Sequence, residues 1–119
     1  MNCTKFIAES FALRTSIHFA HLSTKSYAQH VALGDFYTDL LDLTDKYAEV
    51  YMGLEGQPPL SRWPEVCPAT TDPIPLLEDY LELLKEEFEE DSEYQSLMNI
   101  LAEIEELTAR TLYKLRNLK

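Results

Sequence analysis

Glycine is scarce, with three residues in a chain of 119. Strand-rich architectures lean on glycine for hairpins and bulges, and alternating apolar and polar runs are also few, so an all-α fold is expected. Cysteine is scarcer still. Cys3 and Cys67 are too few and too separated for a disulfide framework or a thiolate zinc site, and a reduced cytoplasm is the default home. Basic residues are outnumbered, ten Lys and Arg against 21 Asp and Glu, which leaves a net charge of −11. That balance argues against unaided binding to nucleic acid or to an anionic membrane. No stretch reaches the roughly eighteen continuous apolar residues of a membrane span. Met1–Ala20 lacks a basic start followed by an apolar run, so no leader is expected either.

What remains is 45% hydrophobic, enough for one core, and the expectation is a single domain over residues 1–119. Apolar residues recur at a helical period in four stretches. The first starts at Thr4 and carries Phe6, Ile7, Phe11, Leu13, Ile17, Phe19 and Leu22. The second, capped by Ser23 or Thr24, runs to about Met52 with Val31, Leu33, Phe36, Leu40, Leu43, Tyr47, Val50 and Tyr51, and Gly53, Gly56 and Pro58-Pro59 stop it. Asp72 before Pro73 opens a third helix to about Glu89, with Leu76, Leu77, Tyr80, Leu81, Leu84 and Phe88 facing the core. Ser92 is expected to cap a fourth, with Leu97, Ile100, Leu101, Ile104, Leu107, Thr108, Leu112 and Leu115 at bundle spacing.

Between the second and third helices Pro64, Pro68 and Pro73 forbid a long helix, leaving Leu60–Trp63 as a short turn and Trp63 as a hydrophobic plug. So long a connection suits parallel neighbours, and it predicts a ferritin-like four-helix bundle with one long crossover between helices 2 and 3. The acidic run is Glu86–Asp91, and its part Glu86–Glu90 reads as a solvated approach to the last loop, with an acidic entry path for iron as the alternative. Tyr27, Tyr37, Tyr47 and Tyr51 read as packing and interface residues, with a redox relay beside bound iron as the alternative for one of them.

All three histidines, His18, His21 and His30, precede Asp35, Asp39, Asp42, Asp45 and Glu49 in one stretch. Imidazoles and carboxylates together suit iron, zinc or manganese. Asp45 and Glu49, four apart on a helix, can share an ion. His30 lies fifteen residues before Asp45, a displacement of roughly 22 Å along a helix. One chain therefore cannot bring both to the same ion. A second copy laid antiparallel about a two-fold axis would, because an isologous contact pairs each residue with its opposite number. His21, three residues after His18, reads as a cap of the first helix or as an additional ligand. Asp39 and Asp42 read as a solvated face. No Glu-x-x-His occurs, which argues against a di-iron centre within one chain.

His18-Phe19, His30 twelve residues on, and then Asp45-Lys46-Tyr47-Ala48-Glu49 resemble the ferroxidase signature of the Dps-type mini-ferritins, members of the ferritin-like superfamily. The resemblance covers residues 18–49 by motif and the remainder by helix pattern. It implies that His18 and His30 of one subunit, with Asp45 and Glu49 of its two-fold mate, hold iron as a mono-iron or di-iron site and oxidise Fe(II), with peroxide as preferred oxidant. It further implies a hollow dodecamer that stores mineral, and zinc or manganese as substitute ions. The family usually has an acidic residue four after the second histidine, and this chain has Gly34 there. Asp35 follows, about 100° round the helix, and could serve only if the helix is distorted. The family's basic tail is missing, which argues against DNA coating. Short acidic chains of this kind also resemble phage-encoded proteins, in which case the compartment is the host cytoplasm.

Two other readings stand beside the ferroxidase. One is an acidic helical-bundle binding protein, a DNA mimic or an inhibitor that docks on a basic protein partner. The other is an assembly component in which a metal staples a dimer.

Overall fold

The computed structural model describes residues 3–119; the first two residues of the expected 1–119 domain, and of the Met1–Ala20 stretch, lie outside them. Four helices account for most of the chain: α1 Thr4–Ser23, α2 Tyr27–Glu55, α3 Pro73–Glu90 and α4 Gln95–Asn117. A short 3-10 turn spans Leu60–Arg62, and there is no strand among the described residues. The fold is all-α. No helix among the described residues is long and apolar enough to cross a membrane.

The helix limits follow from local chemistry. Gly56, with φ of 93°, ends α2 in a conformation that side chains resist. Asp72 caps α3 as expected, its carboxylate accepting from the Ile74 amide at 3.0 Å with Pro73 in the first turn. Two expected caps are displaced. The Ser26 hydroxyl, not Ser23 or Thr24, receives the Gln29 amide at the start of α2. Thr24 is occupied otherwise, accepting from the Ser26 amide and donating to the Gln29 side chain, so it braces the turn. Ser92 lies in the turn between α3 and α4, and α4 opens after Tyr94 with no side-chain cap.

The packed pairs are α1 with α2, α2 with α4, α3 with α4 and α1 with α3. Across α2 and α4 the contacts run in opposite chain directions. From α2 to α4, Glu55 accepts from the Tyr94 hydroxyl and Lys46 pairs with Glu103. From α1 to α3, the hydroxyls of Ser10 and Tyr80 lie 2.7 Å apart, and Phe6 stacks on Tyr80. The core is drawn from all four helices, with Phe6, Ile17, Leu33, Phe36, Leu40, Tyr47, Leu77, Leu84, Leu97 and Ile104 fully buried. Removing such side chains from water is the main stabilising term, about 1.5–3 kcal/mol each. Trp63 is half-buried and packs against this core, as a plug should. The outer residues of the expected apolar faces, among them Phe11, Phe19, Leu22 and Val31, remain exposed.

Candidate functional site

The end of α1 and the start of α2 form a helical hairpin that gathers the three histidines. Nδ1 of His21 lies 2.6 Å from the carbonyl oxygen of His30, and Nδ1 of His30 lies 2.8 Å from the carbonyl oxygen of His21. A carbonyl can only accept, so each Nδ1 carries the hydrogen. In the neutral form of either ring Nε2 is then the lone-pair nitrogen. The rings stack with centroids 3.7 Å apart. His18 stacks instead on Tyr37, at 4.1 Å, and stands edge-on to His21 at 6.0 Å. The Arg14 guanidinium lies over the Tyr37 ring, 5.3 Å from its centroid.

His21 does not cap α1, since its ring nitrogen reaches across the hairpin to α2. It also accounts for Gly34. A Cβ at position 34 would stand 3.0 Å from His21 Cε1 and 3.2 Å from its Nδ1. The imidazole thus occupies the ground that a longer side chain at 34 would need.

The carboxylates are elsewhere. Asp35, Asp45 and Glu49 are exposed on α2, and none of them enters an ion pair among the described residues. α2 is an unbroken helix from Tyr27 to Glu55, so Asp35 points about 100° away from position 34, and Asp45 stays roughly 22 Å along the axis from His30. Among the described residues no group of three or more His, Cys, Asp or Glu could hold a metal ion. The structure thus brings His18, His21 and His30 together and leaves Asp35, Asp45 and Glu49 apart from them. Asp39 and Asp42 line an open groove with Glu103, Glu106 and Arg110 between α2 and α4, in keeping with a solvated face.

Charge is segregated along the chain. Residues 10–34 contain no Asp or Glu but carry Arg14, Lys25 and all three histidines. The hairpin is thus the one long acid-free part of a strongly acidic chain.

A second polar cluster lies at the opposite end of α2 and was not legible as such in the acidic run. Glu87 and Asp91 are buried, not solvated. The Tyr47 hydroxyl lies 3.0 Å from Glu87 Oε2 and 2.5 Å from Asp91 Oδ2. Burial, and then the neighbouring Asp91, push the Glu87 carboxyl up to about 7. Burial also raises Asp91. Tyr47 is raised by burial first and then by its bond to Asp91, so the phenol keeps its proton. Burial, reinforced by the two carboxylates, pushes the Cys3 thiol up to about 11. A signal was present: Leu77, Tyr80, Leu84, Glu87 and Asp91 alternate spacings of three and four, which puts both acids on the core-facing stripe.

Fold and hairpin together define an all-α helical-bundle protein. The chain belongs to a family of unknown function, DUF5856, whose profile matches residues 21–115. It is also similar to a phage T4 protein described as an uncharacterized 14.6 kDa protein in the mobD-ri intergenic region, at 32% identity over 78 residues. That match covers 66% of this chain and 61% of the phage protein, so the chain spans less than two thirds of the relative's length. The T4 relative supports the resemblance to phage-encoded proteins; neither comparison bears on the mini-ferritins. No solved structure matches.

Proposed function

We propose that two copies of this chain meet about a two-fold axis and oxidise Fe(II), the substrate, at sites they share. His18 and His30 come from one copy and Asp45 and Glu49 from the other. The observation that carries this reading is the state of His30. Its Nδ1 hydrogen is bound by the His21 carbonyl, which orients the ring and reserves Nε2 for a metal. Asp45 and Glu49, adjacent on one exposed face and outside any ion pair among the described residues, supply hard oxygen donors that favour the ferric product. Each ferrous ion gives up one electron, so one peroxide consumes two ions and leaves two hydroxides. Charge segregation supports the pairing, because an acid-free hairpin of one copy would face carboxylates of the other.

The same reading takes the bundle to be ferritin-like. Packing in the ring order α1, α2, α4, α3 supports it, as do pairings that run Glu55 to Tyr94 and Lys46 to Glu103. Antiparallel neighbours all round make α2 and α3 parallel. Residues 56–72 must then travel the bundle's length. Fully extended they reach about 60 Å, against a longest extent of 43 Å.

Fe(II) titration of the apo-protein, in air and with peroxide, tests the proposal through the ferric absorbance. Saturable oxidation is expected in the wild type and loss of it in His30→Ala and in Glu49→Ala. Mixing the two variants is expected to restore about a quarter of the sites, since half of the random dimers carry one intact site out of two. A wild type that binds no Fe(II) sinks the proposal. The light-scattering mass separates a dimer from a storage cage of twelve copies.

The place of Gly34 favours a second reading. With an imidazole packed where the mini-ferritins' carboxylate would stand, the bundle would serve as an acidic binding protein for a basic partner. Metal content unchanged in His30→Ala would select it.

A further inference from the structure

The buried acids at the far end of α2 raise a question of hydrogens. The Tyr47 phenol has one hydrogen, yet its oxygen makes hydrogen-bonding contacts with two carboxyl oxygens, at 3.0 Å on Glu87 and 2.5 Å on Asp91. One hydrogen serves one of these contacts. The other would set a lone pair against a carboxylate oxygen unless a carboxylic acid supplies its own hydrogen. A further observation points the same way. Asp91 is fully buried, and its Oδ1 has no hydrogen-bond partner among the described residues. Two ionised carboxylates so placed would be unpaired charges out of water, which is costly.

Among the described residues no cation pairs with the two acids. Just ahead of α1 the pair faces the Cys3 thiol, from α2 Tyr47 and Tyr51, and from α3 itself Glu90 and, toward Glu87, Tyr80; the Glu55 carboxylate stands beside Tyr51. Glu93 and Tyr94 lie nearby, on the turn that precedes α4. Neither Glu87 nor Asp91 forms an ion pair among the described residues. Arg62 is on the wall of an adjoining open cavity, together with Cys3, Tyr51, Glu55 and Glu93, and neither Glu87 nor Asp91 lines it.

We propose that Glu87 and Asp91 hold one proton between them around neutral pH, and that this proton fastens the end of α3 to Tyr47 of α2. Losing it puts two negative charges on one stripe of the core, and this end of the bundle loosens. The device is a latch that closes as pH falls through neutrality. Linkage gives its sign. Glu87 binds its proton more tightly folded, at about 7, than free, at 4.5. The contribution is therefore complete below the free value and lost as pH rises through the folded one, by up to about tenfold in the folding constant per pH unit between them.

A difference measurement isolates the pair from the rest of the chain. Thermal unfolding of the wild type and of Glu87→Gln would be compared from about pH 5 to about pH 9. The amide keeps a hydrogen to donate and has no proton to lose. Wild type is expected to lose stability across the window relative to the variant, so that the curves cross or converge on acidification. Parallel curves overturn the proposal. Carbon-13 carboxyl titration of the wild type is a check that needs no variant to fold. One of the two carboxyls is expected to titrate near 7, and both titrating in the ordinary carboxyl range overturns the proposal. Asp91→Asn repeats the comparison from the other partner.

Discussion

At Gly34 the chain gives up helix propensity for a ring. Glycine in a helix costs about 1 kcal/mol relative to alanine. Here the missing Cβ leaves space for His21, which is held on one side by its bond to the His30 carbonyl and on a face by the His30 ring. A ring so held cannot move aside cheaply. Gly34→Ala is therefore expected to destabilise by about 1 kcal/mol through overpacking, despite the better helix former. In a His21→Ala background the same change is expected to stabilise by up to about 1 kcal/mol. A double-mutant cycle in urea reads both numbers, and no coupling between the sites would remove His21 as the reason for glycine. Sequence alone marked Gly34 as the place of a missing acid. It could not show that an imidazole nine residues before its own partner had taken the ground.

Among the elements, the hairpin turn shows how far cap chemistry can be read. Ser23, Thr24 and Ser26 are all competent caps, and only the path of the chain selects one. Ser26 is the residue with extended backbone and a hydroxyl on the Gln29 amide. Ser26→Ala is expected to cost about 1 kcal/mol, measured by denaturant unfolding, whereas Ser92→Ala, outside α4's cap position, should cost only a few tenths. Equal costs would put the starts of α2 and α4 elsewhere. The limits of α1 and α3 were legible within a residue or so, because Pro73, Asp72 and the apolar period act locally. The C-terminal turn of α3 was misread for the opposite reason. A run of acids looks solvated in composition, but its register continues the stripe of Leu77, Tyr80 and Leu84, and burial follows the register.

On the scale of the whole molecule, charge is the term that packing does not neutralise. The net charge is −11, while the ion pairs among the described residues lie on the surface and are worth about 0–1 kcal/mol each. Self-repulsion should therefore be screened by salt, and the Tm is expected to rise when ionic strength increases from about 0.01 M to about 0.15 M. A falling Tm would mean that attractive pairs outweigh the excess of acid. The sequence by itself determined the four helices, the all-α class, the acidic balance and the gathering of histidines before the carboxylates of α2, since each depends on neighbours within a few turns. Only the tertiary structure decided that His21 and His30 exchange hydrogen bonds across a hairpin, and that Tyr47 meets Glu87 and Asp91 from forty and forty-four residues away. The reason is physical. Periodicity fixes which stripe a residue occupies, but desolvation and hydrogen bonding depend on which side chain of another helix reaches that stripe.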